Sequence, residues 1–281
     1  MLKGVVVRVS RPFGALVGVL LLLSTLVGCN KYEKLLRGTD VAAQYATGVQ
    51  LYERGKYSRA QSFFERCAPL YRVSRRADSL GYYLSNCYYH GGDYVLAASS
   101  FDQVSTNYPS SVFAPEACYM SAYSLYAVSP RADLDQEYTK KAILGFQRYV
   151  ETYPKGEHVA EAVKLTEELH AKLMRKEYLS AKLYYHQRDY RAAVAALRYT
   201  LEEYPRTPYR EDLLYMLSKS AYLLSCKSVE GRKQERYQYA VDAYLSFLSE
   251  FPDSRYLHEL SGYYKRAMAY LDREPNAEFL R

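Results

Sequence analysis

The sequence predicts an all-α protein: an α-solenoid of about five helix pairs with one long central helix. Only 14 glycines and 10 prolines occur among 281 residues, which is too few for a β-sandwich with many short turns. An aromatic–alanine pattern recurs along the chain, and a long stretch without glycine or proline interrupts it. Because 49% of the residues are apolar and 25% are charged, we expect a folded body around a hydrophobic core.

The first 28 residues have the organisation of a secretory signal peptide. Lys3, Arg8 and Arg11 precede an uncharged apolar run, 13–27, which is shorter than the ~20 residues that span a bilayer. The run ends in Leu-Val-Gly-Cys, which resembles a bacterial lipobox, so we expect a covalent lipid on Cys29. The alternative is an ordinary secreted protein with a chance cysteine, but the position, the flanking residues and the apolar run together favour a lipoprotein.

The residue after the lipobox cysteine bears on localisation. Aspartate at that position favours inner-membrane retention in Gram-negative sorting, so Asn30 predicts delivery to the outer membrane, with the periplasmic face as the expected side. Without residues 1–28 the formal charge falls from +7 to +4, and no long basic run remains. Nucleic acid is therefore not an expected partner.

The repeat consists of an aromatic residue, an alanine three positions later, and an aromatic–proline pair that ends twelve positions after the alanine. Its first copy has Arg72 in place of the proline, and in its third copy the tyrosine is shifted by one position, to Tyr138. The alanine should let two helix axes approach, and the proline should end the second helix because it cannot continue one. The pattern resembles the tetratricopeptide repeat, a pair of antiparallel helices. The five alanines are spaced 37, 45, 51 and 47 residues apart: Ala60, Ala97, Ala142, Ala193 and Ala240.

Most of these spacings exceed the ~34 residues of a standard repeat, so we expect insertions. Residues 129–136 and 226–236 should separate the two helices of the third and fifth pairs. Residues 157–189 contain neither glycine nor proline and predict one long helix, and 256–271 predict a terminal capping helix. The expected organisation is a signal peptide (1–28), a lipidated tether (29–39), an N-terminal repeat module (40–156), and the long helix with a C-terminal module (157–281).

No residue pattern predicts catalysis. The sequence lacks nucleotide-binding and nucleophile motifs, and its five histidines form no H-x-x-x-H pair. We therefore expect neither an enzyme nor a metal, and no cofactor beyond the lipid. Cys67, Cys87, Cys118 and Cys226 include no C-x-x-C pair, so buried free thiols are favoured over a disulfide, although an extracytoplasmic compartment would permit one.

Tyrosine is the unusual component, with 33 residues beside 9 phenylalanines and no tryptophan. Tyrosine suits a peptide groove because its ring is apolar and its hydroxyl forms hydrogen bonds. The alternative is that a tyrosine-rich composition simply builds a tyrosine-rich core, which is the simpler explanation for any single residue. For the cluster as a whole we favour a binding surface, and the candidates on the first helices are Tyr45, Tyr52, Tyr82, Asn86, Tyr89, Tyr119, Tyr123 and Tyr126.

The combination of a lipobox, five irregular repeats and a long central helix resembles the BamD (YfiO) family. These are lipoprotein subunits of the machine that inserts β-barrel proteins into the bacterial outer membrane. The tyrosine content and the Asp-Leu-Asp-Gln insertion at 133–136 resemble the Bacteroidetes branch. The most specific stretch contains His170 to Leu173, Ala181, Tyr184-Tyr185, Tyr190, Leu201, Tyr204-Pro205, Thr207 and Arg210.

The resemblance implies a scaffold rather than an enzyme. Its N-terminal repeats would bind extended segments of unfolded outer-membrane proteins, and its C-terminal repeats would dock the barrel-forming subunit. Arg210 is the candidate docking contact, because a guanidinium can bind a carboxylate through two parallel hydrogen bonds. The alternative is another periplasmic tetratricopeptide lipoprotein, such as a pilotin of a secretion or pilus apparatus, or a cell-wall coordinator.

Overall fold

A computed structural model describes residues 32–276 and 279–280. The predicted signal peptide and the predicted lipidation site, Cys29, lie outside these residues. Within them the regular structure is helical, which confirms the predicted all-α class. The helices are α1 (32–36), α2 (Val41–Glu53), α3 (Tyr57–Tyr71), α4 (Ala77–His90), α5 (Tyr94–Asn107), α6 (Ala114–Ala127), α7 (Glu137–Thr152), α8 (Val159–His186), α9 (Tyr190–Glu203), α10 (Arg210–Cys226), α11 (Glu230–Glu250) and α12 (Leu257–Tyr270).

The helices follow one another in the predicted order, and α2 packs against α3, α4 against α5 and α10 against α11, followed by α12 as the predicted terminal helix. The long helix predicted within 157–189 is α8. Two compact units divide the chain: unit 1 holds the described residues up to Val128 with Leu144–Ala162, and unit 2 holds Ser129–Ile143 with the residues from Val163 onward. Within each unit, consecutive helices pack against one another, as in an α-solenoid.

The aromatic–proline pairs end the second helices, as the sequence predicts. Helices α5, α9 and α11 each stop at the residue before the aromatic, and Tyr108, Tyr204 and Phe251 leave the helical region with φ near −130°. A residue before proline avoids the helical conformation because the proline Cδ would clash with it. The first pair differs: Pro69 lies inside the last turn of α3, and the helix runs on to Tyr71.

Small residues lie where helices cross, which explains the short distances between their axes. A Cβ atom added to Gly48 of α2 would lie 2.8 Å from the ring of Phe64 on α3. Within unit 1, a Cβ on Gly145 of α7 would likewise lie 2.8 Å from the Cβ of Ala122 on α6. These positions accept only glycine without displacement of a neighbour.

Each unit has its own core. In unit 1 the fully buried rings Phe64 and Phe101 fill the space between the helices of the first two pairs. In unit 2, Leu197, Leu213 and Phe247 are fully buried among α8 to α12. Among the described residues, none of the helices is long and apolar enough to cross a membrane.

Residues 32–39, predicted as part of a tether, are packed onto the first repeat. Leu35 and Leu36 lie against its core. The buried amide of Gln44 donates hydrogen bonds to the carbonyl oxygens of Leu35 (3.0 Å), Leu36 (3.2 Å) and Gly38 (2.9 Å). These bonds satisfy carbonyls at the end of α1 that have no partner within the helix. Residues 32–38 are therefore part of the folded body.

Two further expectations need adjustment. The insertion predicted at 226–236 is shorter, because α11 already begins at Glu230. Cys67, Cys87 and Cys118 are buried free thiols as predicted, but Cys226 is exposed. It is the last residue of α10, where the chain turns away from the core.

Candidate functional site: the tyrosine face of unit 1

The predicted groove residues lie on the three first helices of unit 1. Positions seven apart on a helix share one side, so Tyr82 and Tyr89 lie on the same side of α4. Tyr52 lies on α2 and Tyr123 on α6. These four rings are half-buried, as are Tyr126 and a further ring, Tyr83. We call these six residues the tyrosine face: Tyr52, Tyr82, Tyr83, Tyr89, Tyr123 and Tyr126.

Ring contacts join α2 to α4 within this face. The ring centroids of Tyr52 and Tyr83 are 4.9 Å apart, and those of Tyr82 and Phe113 are 4.7 Å apart and stacked. Tyr83 also stacks on the buried ring of Phe64 at 5.8 Å. Aromatic contacts of this kind contribute about 0.5–1.5 kcal/mol each beyond the area they bury. The rings are therefore held in place before any ligand arrives.

A second set of contacts joins α4 to α6. Tyr89 lies 6.3 Å from Tyr123 and 5.2 Å from Tyr94, measured between ring centroids. Tyr123 in turn lies 5.8 Å from Tyr126. Tyr89, Tyr123 and Tyr126 thus form a row of rings that runs from α4 along α6.

Three predicted groove residues are instead buried beneath the face. Tyr45 is 8% exposed and is covered by Tyr71, whose ring stacks on it at 5.4 Å. Tyr119 is 4% exposed and stacks on the imidazole of His158 at 4.1 Å. Asn86 is 7% exposed, and its amide donates to the carbonyl of Tyr82 at 2.9 Å. These side chains support the exposed rings, and we do not expect them to contact a ligand directly.

Burial raises the pKa of several hydroxyl groups of the face above the usual tyrosine value. Burial raises the pKa of Tyr52, and neighbouring tyrosines, including Tyr82, raise it further. Burial likewise raises the pKa of Tyr82, which a hydrogen bond with Asn86 only partly offsets. Burial and the nearby Tyr123 raise the pKa of Tyr89. Tyr52, Tyr82 and Tyr89 therefore present apolar rings with neutral hydroxyl groups that can donate and accept hydrogen bonds.

The corresponding side of unit 2 is built differently. On α8, α10 and α12 the tyrosines are bound to charged groups: Tyr178 donates to Asp212 (3.0 Å), and Tyr215 donates to Glu259 (2.8 Å). Lys219 pairs with the same Glu259 carboxylate at 2.7 Å. These polar groups are paired within the unit, so this side is a structural network with less capacity left for a ligand.

Arg210, the predicted docking residue, is also paired within unit 2. Its Nε and Nη2 atoms donate to the two carboxylate oxygens of Glu250 at 2.5 and 2.7 Å, and Nη1 donates to the carbonyl of Pro205 at 3.1 Å. The bond from Arg210 lowers the pKa of Glu250. Arg210 therefore binds a carboxylate through two hydrogen bonds, as expected, but that carboxylate is Glu250 of the same chain and not a partner's.

Sequence reasoning missed Tyr83 and Phe113. Tyr83 is adjacent to a predicted residue, but on an ideal helix neighbours diverge by about 100°, so the repeat pattern does not assign it to the face. Phe113 precedes α6 and lies outside any helical period. Among the described residues, no group of three or more histidine, cysteine, aspartate or glutamate side chains is placed to hold a metal ion.

Paired antiparallel helices, small residues at their crossings and proline-terminated second helices define a tetratricopeptide-type repeat protein. The model of the family described as "YfiO: Outer membrane lipoprotein" matches residues 38–236. This match covers more than half of the chain, and the protein belongs to that family. The matched region includes the whole tyrosine face and ends within α11.

Similar proteins carry a consistent description. Outer membrane protein assembly factor BamD of Caulobacter vibrioides is 24% identical over 224 residues, which cover 77% of this chain and 72% of that protein. A protein of Aquifex aeolicus that provisionally carries the same name is 28% identical over 237 residues, covering 83% and 77% of the two chains. Among solved structures, the TPR2AB domain of yeast Sti1 in complex with pHSP90 is 14% identical and covers 84% of this chain and 93% of its own, at a TM-score of 0.39.

Proposed function

We propose that this protein is the lipoprotein subunit of an outer-membrane β-barrel assembly machine and acts as a non-catalytic scaffold. Membership of the YfiO family and the name of the Caulobacter relative support this role. In this proposal a lipid on Cys29 anchors the protein to the periplasmic face of the outer membrane. The observation that carries the binding role is the row of six half-buried tyrosines on the first helices of unit 1.

The proposed ligand of the tyrosine face is an extended segment of an unfolded outer-membrane protein. Barrel strands alternate apolar and polar side chains, with aromatic residues near the membrane boundaries. A row of half-buried tyrosines can pack against the apolar side chains and bond the peptide backbone through neutral hydroxyls. Large rings that are already held in place lose little conformational entropy on binding.

The proposed docking site of the barrel-forming subunit lies in unit 2. Arg210 is the candidate contact, and its pairing with Glu250 sets a condition on this role. A partner carboxylate would have to displace Glu250 or bind beside it, so a coupling role would consist of an exchange of carboxylates on one guanidinium.

The test of the tyrosine face compares two double variants of the mature chain. Tyr89→Ala with Tyr123→Ala removes two rings of the face that lie 6.3 Å apart on α4 and α6. Tyr222→Ala with Tyr263→Ala is the matched control, because it removes a ring pair 4.8 Å apart from the corresponding side of unit 2. Both remove two half-buried tyrosines. The control also removes the hydrogen bond from Tyr263 to Glu259, so its loss of folding stability should be at least as large as that of the first variant.

We expect the first variant to bind peptides from barrel strands about tenfold or more weakly, because each lost anchor ring costs on the order of 1–2 kcal/mol. The control should bind within about threefold of wild type, which is under 1 kcal/mol. Binding is measured by fluorescence anisotropy, and folding by circular dichroism. Equal affinity of the two folded variants would refute the assignment of the face.

A further inference from the structure

The positive charge of the mature chain is concentrated in its first helix pair. Residues 32–76 contain nine basic and four acidic side chains, a net charge of +5. Residues 77–281 contain 25 basic and 27 acidic side chains, a net charge of −2. The net charge of +4 that remains after the signal peptide is therefore distributed unevenly along the chain. The positive charge lies mainly in the segment that follows Cys29.

Several of these cations lie around Tyr32. The guanidinium of Arg59 lies 5.9 Å from the centre of the Tyr32 ring. Lys34 and Arg54 line a cavity together with Tyr32 and Asp40, and the Asp40 carboxylate caps α2 by accepting from the backbone N–H of Ala43 at 2.9 Å. Arg54 and Lys56 both lie in the turn between α2 and α3. We call these four residues the basic patch: Lys34, Arg54, Lys56 and Arg59.

The basic patch is available to a partner. All four side chains are exposed. None of them forms an ion pair with any acidic group in the described part of the chain, whereas the neighbouring Arg37 is paired with Glu33. A group of exposed cations without acidic partners repels itself, so an anionic surface stabilises it.

Residues 32–38, which lie beside the patch, are held against the first helix pair. The ring of Tyr32 packs edge-on against the buried Phe63 at 6.4 Å, and the amide of Gln44 holds three carbonyls of 35–38. Cys29 precedes Tyr32 by three residues, which span at most about 11 Å when fully extended. A lipid on Cys29 would thus keep Tyr32 at about one Debye length from the membrane surface, which is about 10 Å at 0.1 M salt, with the guanidinium of Arg59 beside the Tyr32 ring.

We propose that the basic patch binds the anionic phospholipid headgroups of the membrane that carries the anchor. This inference rests on the lipid anchor of the proposed function. The patch would supply a second membrane attachment beside the acyl chains and would orient the first helix pair with its α2–α3 turn toward the bilayer. An acidic protein segment could also bind cations, but the short connection to Cys29 favours the lipid surface.

The test uses the complete mature chain with Cys29→Ser, so that no acyl chain contributes to binding. Vesicles of neutral phosphatidylcholine are compared with vesicles that also contain phosphatidylglycerol, at low salt. The patch variant is Lys34→Gln with Arg54→Gln and Lys56→Gln. The control variant removes the same three charges from exposed positions of unit 2: Arg191→Gln, Arg206→Gln and Lys265→Gln.

We expect wild type and control to bind anionic vesicles and not neutral ones, and the patch variant to bind roughly 100-fold more weakly, since each cation near an anionic surface contributes about 1 kcal/mol. An equal loss in both variants would overturn the proposal, because it would show a net-charge effect. Equal binding to neutral vesicles would also overturn it. Displacement by inorganic phosphate beyond that caused by chloride at equal ionic strength would instead indicate a phosphate site.

The outcome is separable from the proposed function. If the protein with an unchanged patch does not bind anionic vesicles, the lipid surface is not the partner of the basic patch. That result would not affect the proposed role in barrel assembly. Failure to recover a barrel insertase with the native protein would remove that role, while a result for the patch would stand on its own.

Discussion

Glu259 provides the sharpest test of the polar network of unit 2. Its carboxylate accepts hydrogen bonds from Tyr215 (2.8 Å) and Tyr263 (2.9 Å) and pairs with Lys219 (2.7 Å). Glu259→Gln removes the negative charge. It also places an amide NH₂ group, which cannot accept a hydrogen bond, next to the donors Tyr215, Tyr263 and Lys219. Fully buried, such charged bonds would contribute about 1.5–3 kcal/mol each.

The exposure of the pair reduces this magnitude. The side chains of Glu259 and Lys219 are 40% and 22% exposed, so water screens their attraction. We therefore expect Glu259→Gln to lower the free energy of unfolding by about 2 kcal/mol in total. For a chain of this size that corresponds to a fall in Tm of roughly 4–8 °C.

The pH dependence of the effect has a definite sign. Burial raises the pKa of Glu259, but the bonds from Lys219, Tyr215 and Tyr263 outweigh it, so the pKa of this carboxyl lies below its usual value. A group whose folded pKa is depressed stabilises the protein above its unfolded pKa, about 4.3 for glutamate, and loses that contribution as the pH falls through the folded pKa. The difference between wild type and Glu259→Gln should be constant near neutrality and shrink in acid.

The assay is denaturant unfolding followed by circular dichroism between acid and neutral pH. Glu235→Gln is the matched control, because Glu235 is 74% exposed and its pair with Arg232 is open to solvent. The control should lose less than about 0.5 kcal/mol. Equal losses for the two variants, or a difference that does not shrink on acidification, would refute the reasoning about this network.

Two further substitutions test the packing of the first repeat. Gly48→Ala should destabilise the protein by about 1–3 kcal/mol, because its Cβ would lie 2.8 Å from Phe64. Gly231→Ala is the control: there is open space around this position, so the change should be neutral or stabilising by up to ~1 kcal/mol. Equal melting temperatures of the two variants would contradict the close approach of α2 and α3 at Gly48. Tyr45→Phe should lose about 1 kcal/mol or less with its bond to Ser79 and leave the affinity for barrel-strand peptides unchanged, so weaker binding by this variant would place Tyr45 in the groove.

The helices could be predicted from the sequence because their signals are local. An aromatic–proline pair ends a helix through the geometry of three consecutive residues, and this rule holds at Tyr108, Tyr204 and Phe251. The positively charged start of the mature chain could also be read from composition, once the charges are counted by segment instead of over the whole chain.

The exposure of individual tyrosines could not be predicted in the same way. Tyr45 and Tyr52 lie seven positions apart on one side of α2, so periodicity treats them alike. Their burial differs because Tyr71 covers Tyr45 from the neighbouring helix α3. Arg210 shows the same limit, since its partner Glu250 lies 40 residues away in the chain. A contact between distant segments leaves no periodic trace in the sequence.

The central claim is that this chain is a lipid-anchored subunit of the barrel assembly machine. Affinity isolation of the native protein from detergent-solubilised outer membranes, with identification of the partners by mass spectrometry, tests it most directly. We expect recovery of a large outer-membrane barrel protein with periplasmic domains, together with a diacylglyceryl group on Cys29. Recovery of a secretin or of peptidoglycan enzymes, without such a barrel protein, would contradict it.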